Sequence, residues 1–115
     1  MLLELYDCPA AILNDQETID NILTSVVHEA GATLVNKTFH HFSPYGVSGV
    51  VVIAESHITV HTWPEYGYAA VDVFTCDEKI DYDLVERILS EKFGSGDHHV
   101  RIIKRGEIPI SNHSH

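Results

Sequence analysis

Apolar residues recur along the chain with two different periods, and each period predicts a kind of element. Within residues 17–30 they return every three or four positions, which is the spacing of one face of a helix. Asn14 or Asp15 can cap the start of this helix, and Gly31 can end it. Residues 81–93 repeat the pattern, with Asp81 as their cap. The two stripes consist of Ile19, Ile22, Leu23, Val26 and Val27 in the first helix, and of Leu84, Val85, Ile88 and Leu89 in the second.

The remaining apolar residues follow the patterns of strands. Residues 47–55 form a continuous apolar run, which is typical of a buried strand, and residues 58–63 place β-branched side chains at alternate positions. Pro64 cannot donate a backbone hydrogen bond to a sheet, so PEYG at 64–67 is predicted to connect two strands. Strands are predicted at 1–6, 32–42, 47–55, 58–63, 68–76 and 98–105.

The order of these elements, β-α-β-β-β-β-α-β, predicts the fold class of a single domain, residues 1–115. Strands outnumber helices and are joined mainly by short turns such as PYG at 44–46. This favours an α+β fold, a two-layer sandwich of an antiparallel sheet with two helices on one face. Because VVVIA at 50–54 has no polar alternation, we expect a second copy to cover the other face. The homodimer would then stack as αββα.

Composition argues against several classes of partner. The chain has 17 acidic and 7 basic residues, a formal net charge of −10, whereas nucleic acids and anionic membranes attract basic surfaces. No segment reaches the roughly 18 apolar residues of a membrane span, and the first residues do not resemble a signal peptide. Two cysteines, Cys8 and Cys76, are too few for a disulfide framework. We therefore expect a cytoplasmic protein with reduced thiols and neither nucleic acid nor membrane as a partner.

Residues 54–76, AESHITVHTWPEYGYAAVDVFTC, concentrate the side chains that can carry chemistry. A Ser–His nucleophile pair would need a third group and an oxyanion hole, and nothing here resembles a G-x-S-x-G elbow. His57 and His61 would share a face of a strand, but no third ligand has recognisable spacing, so no metal site is expected. Taken singly, each of these residues also fits a plain hairpin.

Taken together, the same residues carry a family resemblance. GVSGVVVIAESHITVHTWPEYGYAAVDVFTC, residues 46–76, closely resembles the prokaryotic S-adenosylmethionine decarboxylases, a pyruvoyl-dependent family, and so does FHHFSPYGVSG at 39–49. One departure is at the start, where family members usually carry Gly-x-His before the first strand and this chain begins with MLLELYD.

The resemblance implies a proenzyme that cleaves itself. The Ser56 hydroxyl would attack the carbonyl carbon of Glu55, so that an ester replaces the amide, and elimination across Ser56 would break the chain. Loss of ammonia leaves a pyruvoyl group, an electron sink that no ordinary side chain provides. The products would be a β chain, 1–55, and an α chain, 56–115.

The resemblance also assigns roles. Ser56 is the pyruvoyl precursor that forms the Schiff base, His61 is the base that takes its α-proton, and Ser48 helps to hold the ester. Cys76 is the acid that returns a proton to the substrate, since a thiol of pKa about 8.5 is mostly protonated near neutrality. Without the resemblance, Cys76 would be interpreted as a buried apolar residue. Because residues 56 and 61 fall on opposite faces of a regular strand, the assignment assumes a turn or bulge at 56–57.

The implied substrate is S-adenosylmethionine, decarboxylated to the aminopropyl donor for spermidine without PLP or metal. Phe42 and Trp63 match family positions that would stack on adenine, although both could equally belong to the core, and Glu65 would accept from the ribose hydroxyls. Two alternatives stay open: decarboxylation of a basic amino acid such as arginine, or an uncleaved, non-catalytic regulatory relative. TWPE at 62–65 favours the nucleoside, because a bare amino acid needs no adenine slot.

Overall fold

The computed structural model describes residues 1–54, 56–75 and 79–105. Within them the chain forms an antiparallel sheet of six strands, three α-helices and one 3-10 turn. In chain order these are β1 (Leu2–Tyr6), α1 (Ala10–Leu13), α2 (Gln16–Glu29), β2 (Leu34–His41), β3 (Val47–Ile53), β4 (Ser56–Trp63), the 3-10 turn (Pro64–Tyr66), β5 (Tyr68–Thr75), α3 (Tyr82–Lys92) and β6 (Asp97–Arg101).

The sheet has the strand order β2-β3-β4-β5-β1-β6, and each neighbouring pair is antiparallel. Helices α2 and α3 contact each other and pack against the sheet, which confirms the predicted α+β sandwich. The four-residue helix α1 was not predicted, because it is shorter than two turns and therefore shows no apolar period.

The predicted helical stripes form the core between the two layers. All five apolar residues of the α2 stripe are buried, and Asp15 caps this helix by accepting hydrogen bonds from the Glu17 N–H and the Thr18 hydroxyl. In α3 the stripe is also buried except for Leu84, which is partly buried, and Asp81 accepts from the Leu84 N–H as the cap. Both helices therefore form as their sequence periods predict.

Most strands differ from the prediction at one or both ends, and the differences around β3, β4 and β6 matter most for the site. Strand β3 ends at Ile53 and β4 already begins at Ser56, so the connection between them lies two positions earlier than expected. Strand β4 pairs without a register shift with both β3 and β5 from Ser56 onwards, so the assumed turn or bulge at 56–57 is wrong. Strand β6 ends at Arg101 because its partner β1 begins at Leu2, the residue opposite.

The sheet face turned away from the helices, called here the open face, carries a mixture of polar and aromatic side chains. In β4 the residues Ile58, Val60 and Thr62 are buried against the helices, so the alternate positions project from the open face. These positions are His57, Thr59, His61 and Trp63 in β4, and Tyr68, Ala70, Asp72 and Phe74 in β5.

Across the described residues, no helix combines the length and the apolar character that crossing a membrane requires.

Candidate active site

Ser48 and His61 form a hydrogen-bonded pair on the open face. They are directly opposite each other in the β3–β4 ladder, and the Ser48 hydroxyl oxygen lies 2.8 Å from His61 Nδ1. Side chains at directly opposed positions of antiparallel strands are close enough to interact, so the register alone brings these two together. A hollow of about 280 Å³ lies beside them, between β2, β3 and β4. The pair is therefore accessible from the open face.

Ser56 occupies a different place on the same strand. It is the first residue of β4, half-buried, and its hydroxyl donates a 2.5 Å hydrogen bond to the Thr75 hydroxyl opposite. Ser56 therefore projects to the helix side, as Ile58 and Val60 do, while His61 projects to the open face. Five residues of regular strand separate Ser56 from His61 by about 17 Å. Within one intact chain the structure does not bring these two residues together.

Two predicted site residues, Glu55 and Cys76, lie outside the described residues. The other cysteine, Cys8, is a buried free thiol. Burial, with a smaller contribution from the negative charge of Asp7, raises the pKa of the Cys8 thiol to about 11. Cys8 is therefore kept protonated and away from solvent.

Trp63 lies at the far end of β4, within a ladder of stacked rings. Its ring stacks on Tyr68 at 5.3 Å, and Tyr68 stacks on Tyr6 at 5.5 Å. The Tyr68 hydroxyl donates to the Glu4 carboxylate; burial first, and this bond second, raise the pKa of Tyr68 to about 12. Trp63 is 39% exposed and Phe42 is 47% exposed. Neither ring therefore belongs to the core, a possibility that the sequence had left open.

Glu65 lines a cleft at the end of β4 where the 3-10 turn begins. The cleft measures about 530 Å³ and lies between the turn after β2, helix α1 and the 3-10 turn. It is lined by Ala10, Ala11, Asn14, Tyr45, Pro64 and Glu65. Glu65 follows Trp63 closely in the chain, so the cleft lies at the Trp63 end of β4. Ser56, at the other end, is about 23 Å away along the strand.

Several residues of the site were missed by the sequence reasoning. Thr75 could have been found by counting away from the PEYG connection, backwards along β4 and forwards along β5. Trp63 pairs with Tyr68 beside the connection, and the same register pairs Ser56 with Thr75. Asn14 and Tyr45 gave no such signal, since they reach the cleft from separate elements. Among the described residues, no three His, Cys, Asp or Glu side chains are close enough together to hold a metal ion.

Comparison with known proteins bears directly on this arrangement. A family model described as S-adenosylmethionine decarboxylase matches residues 1–106. The chain is 52% identical to an S-adenosylmethionine decarboxylase proenzyme of Moorella thermoacetica over 108 residues, 94% of this chain and 86% of that protein. It is 48% identical to the proenzyme of the same name from Thermodesulfovibrio yellowstonii over 112 residues, 97% of this chain and 83% of that one.

A solved structure agrees with the sequence comparisons. The crystal structure of the adenosylmethionine decarboxylase from Aquifex aeolicus superimposes with a TM-score of 0.75 at 33% identity, covering 93% of this chain and 92% of that one. The resemblance carried by residues 46–76 is thus confirmed over nearly the whole chain. The chain belongs to the S-adenosylmethionine decarboxylase family.

Proposed function

We propose that this chain is a proenzyme that cleaves itself between Glu55 and Ser56 and then decarboxylates S-adenosylmethionine. The observation that carries the proposal is the position of Ser56. A half-buried serine begins β4, separated from the end of β3 by two residues, at a hairpin connection where the chain can be cut without interrupting a strand. Membership of the family supports the reaction and the substrate.

The sheet topology supports a cut at this point. The β chain, 1–55, would contribute β1, β2 and β3, and the α chain, 56–115, would contribute β4, β5 and β6. In the order β2-β3-β4-β5-β1-β6, the ladders β3–β4, β5–β1 and β1–β6 would each join one fragment to the other. The two fragments therefore remain parts of one sheet after the backbone is broken.

The residues around the cut fit the formation of a pyruvoyl group from Ser56. The Ser56 hydroxyl needs no other element to reach the preceding carbonyl carbon, and its hydrogen bond to Thr75 fixes its direction. Once formed, the pyruvoyl group supplies the electron sink for the charge left when CO2 departs. Cys76 would then return a proton to the substrate carbon. Phe42, Trp63 and Glu65 would hold the adenine and the ribose.

The separation of these residues supports a site shared between two copies. Ser56 lies about 17 Å from His61 and about 23 Å from Trp63 along β4, so one chain alone cannot place them around one reacting centre. We propose that a second copy stacks open face to open face with its strands reversed, so that its Trp63 end would lie near the Ser56 end of the first chain. Exposed apolar side chains on the open face, including Val52 and Trp63, also favour such a cover.

The thiols support the proposal of a cytoplasmic location. Cys8 is free and buried, and the proposed role of Cys76 needs a reduced thiol. We place the protein in the cytoplasm, where thiols stay reduced.

Intact-mass measurement tests the cleavage. The purified parent should yield two fragments, 1–55 and 56–115, with the second carrying a pyruvoyl end, and should release CO2 from S-adenosylmethionine. Ser56→Ala should give one uncut, folded and inactive chain, whereas the matched variant Ser90→Ala, on helix α3, should be cut normally. An uncut parent with full activity contradicts the proposal.

Complementation tests the shared site. Ser56→Ala and His61→Ala chains should each remain uncut when produced alone. When the two are produced together, the mixed dimer contains one Ser56 on one chain and one His61 on the other, and a fraction of the His61→Ala chains should be cut. Absence of any cut chain in purified mixed dimers would place Ser56 and His61 of one site in the same chain.

A further inference from the structure

The segment that follows β6, residues 102–105, returns to the open face of the sheet. Arg105 Nη2 donates to both carboxylate oxygens of Asp72 in β5, at 3.2 and 3.3 Å. Arg105 Cζ also lies 4.4 Å from the centre of the Phe74 ring, two positions further along the same strand. One guanidinium thus binds two successive open-face side chains of β5, the first as an ion pair and the second by a cation–π contact.

These contacts carry the segment past the start of β1. In the strand order β5-β1-β6, strand β1 lies between β6, which the segment leaves, and β5, which Arg105 reaches. The segment encloses a hollow of about 290 Å³ together with Met1 and with Phe74 and Thr75 at the end of β5. Because Thr75 pairs with Ser56, the segment lies at the end of the sheet where β4 begins.

Phe74 connects this attachment to the proposed cleavage site. It is directly opposite His57 in the β4–β5 ladder, and the centres of the two rings lie 5.3 Å apart. His57 follows Ser56 in the chain and projects to the open face, as Phe74 does. A row of contacting side chains therefore leads from Arg105 through Phe74 to His57, next to the proposed pyruvoyl precursor.

Cleavage would change what holds this end of β4. In the intact chain the hairpin connection joins β3 to β4 covalently, whereas in the cut chain Ser56 would become the first residue of a fragment. The ends of chains fray readily unless their contacts hold them down. A pyruvoyl group on a fraying end would present its carbonyl to the substrate amine in the reactive orientation for only part of the time.

We infer that Arg105 is a positioning residue that holds the new end of β4 in place, through Phe74 and His57, once the chain is cut. The inference rests on the proposed function, because only cleavage gives β4 a free end. Asp72 and these three residues all belong to the fragment 56–115, so none of their contacts crosses the cut. The effect of Arg105 is therefore on turnover and not on self-cleavage.

Steady-state kinetics with S-adenosylmethionine test this inference. Arg105→Met removes the charge and the guanidinium plane, so kcat per cut chain should fall by about tenfold while KM stays within about twofold. Arg105→Lys keeps a cation that can lie over the Phe74 ring, and its kcat should stay within about threefold of the parent. Arg101→Met, the same change at the exposed end of β6, is the matched control and should behave as the parent does. All three variants should be completely cut.

Amide hydrogen exchange gives a readout that a general loss of stability would not reproduce. In the cut protein, the amides of residues 57–60 should exchange at least about threefold faster in Arg105→Met than in the parent. In the uncut Ser56→Ala background the same substitution should leave their exchange nearly unchanged, because the hairpin connection still holds the strand. Equal acceleration in cut and uncut chains, or no acceleration in either, would overturn the inference.

Asp72→Asn tests the same attachment while keeping Arg105. Without the carboxylate the guanidinium loses its charged partner, so kcat should fall by about fivefold. The double variant with Arg105→Met should be no slower than Arg105→Met alone. Effects that multiply in the double variant, or an unchanged kcat in cut Arg105→Met, would overturn the inference. This failure is distinct from failure of the proposed function, in which the parent itself would be uncut or inactive.

Discussion

The Ser48 hydroxyl lies 2.8 Å from His61 Nδ1, across the ladder that joins β3 to β4. When Nδ1–H donates to Ser48, the other ring nitrogen, Nε2, is left unprotonated and can act as a base. Ser48 would then orient the imidazole as well as contact the ester. If the proposed roles hold, the two residues act as one functional unit, and their substitutions should not have independent effects.

His61→Ala should slow self-cleavage by at least about a hundredfold, because the proposed base for the elimination is lost. Ser48→Ala should slow it by about tenfold, and the double variant should be no slower than His61→Ala. The measurement is the fraction of cut chain against time by intact mass, with hydroxylamine used to release the trapped ester.

His99→Ala is the matched control for these variants. His99 is also a strand histidine paired across a ladder, opposite Glu4, but it lies on β6, away from Ser48. It should be cut at the parent rate. If the effects of Ser48→Ala and His61→Ala multiply in the double variant, the two residues act separately.

The Ser48–His61 contact also shows how far the sequence could predict the site. The resemblance named both residues, but the predicted strand boundaries, 47–55 and 58–63, would have placed Ser48 opposite residue 65 and not opposite His61. The register depends on where the hairpin connection lies, and the continuous apolar run up to Ala54 conceals it. The helices, by contrast, were predicted well because capping residues and a 3.6-residue period mark them directly.

Contacts between distant segments could not be predicted at all. Asn14 and Gly46 are 32 residues apart, and their hydrogen bond depends on how helix α1 packs on the sheet. No period or motif encodes such a contact. The pairing of Ser56 with Thr75 lies between these two cases in predictability, because Pro64 marks the connection between β4 and β5 and the register can be counted from it.

Thr75→Val should slow self-cleavage by about tenfold. The Thr75 hydroxyl accepts the hydrogen bond from Ser56 at 2.5 Å, and without it the Ser56 side chain is free to turn away from the carbonyl that we propose it attacks. Thr75→Ser keeps the hydroxyl and should be cut at nearly the parent rate. Equal rates for Thr75→Val and Thr75→Ser would mean that this bond does not position Ser56.

Cys76→Ala should be cut normally but should turn over S-adenosylmethionine at least about a hundredfold more slowly, because the proposed proton donor is lost. Cys8→Ala removes the other cysteine of the chain and is the matched control. Burial raises the pKa of the Cys8 thiol to about 11, so this thiol stays protonated and unreactive. Its removal should therefore leave kcat unchanged. The measurement is the rate of CO2 release per cut chain in the Cys76→Ala and Cys8→Ala variants. An unchanged kcat in Cys76→Ala would show that Cys76 is not the proton donor.

Tyr68→Phe should alter how stability depends on pH above pH 10. Burial, and then the hydrogen bond to Glu4, raise the pKa of Tyr68 to about 12 in the folded chain, whereas an unfolded tyrosine titrates near 10. The folded state therefore holds the phenol proton more tightly than the unfolded state does. The resulting stabilisation is complete below pH 10 and is lost as the pH rises from about 10 through about 12.

The parent should consequently lose free energy of unfolding more steeply than Tyr68→Phe over this pH interval, and the two curves should run parallel below pH 10. Urea unfolding followed by Trp63, the one tryptophan of the chain, measures this, in the uncut Ser56→Ala background so that a single chain unfolds. Tyr66→Phe is the matched control, because Tyr66 is 78% exposed, and it should follow the parent curve. Parallel curves for the parent and Tyr68→Phe throughout would show that the Glu4 bond and the burial of Tyr68 do not favour the protonated phenol in the folded chain.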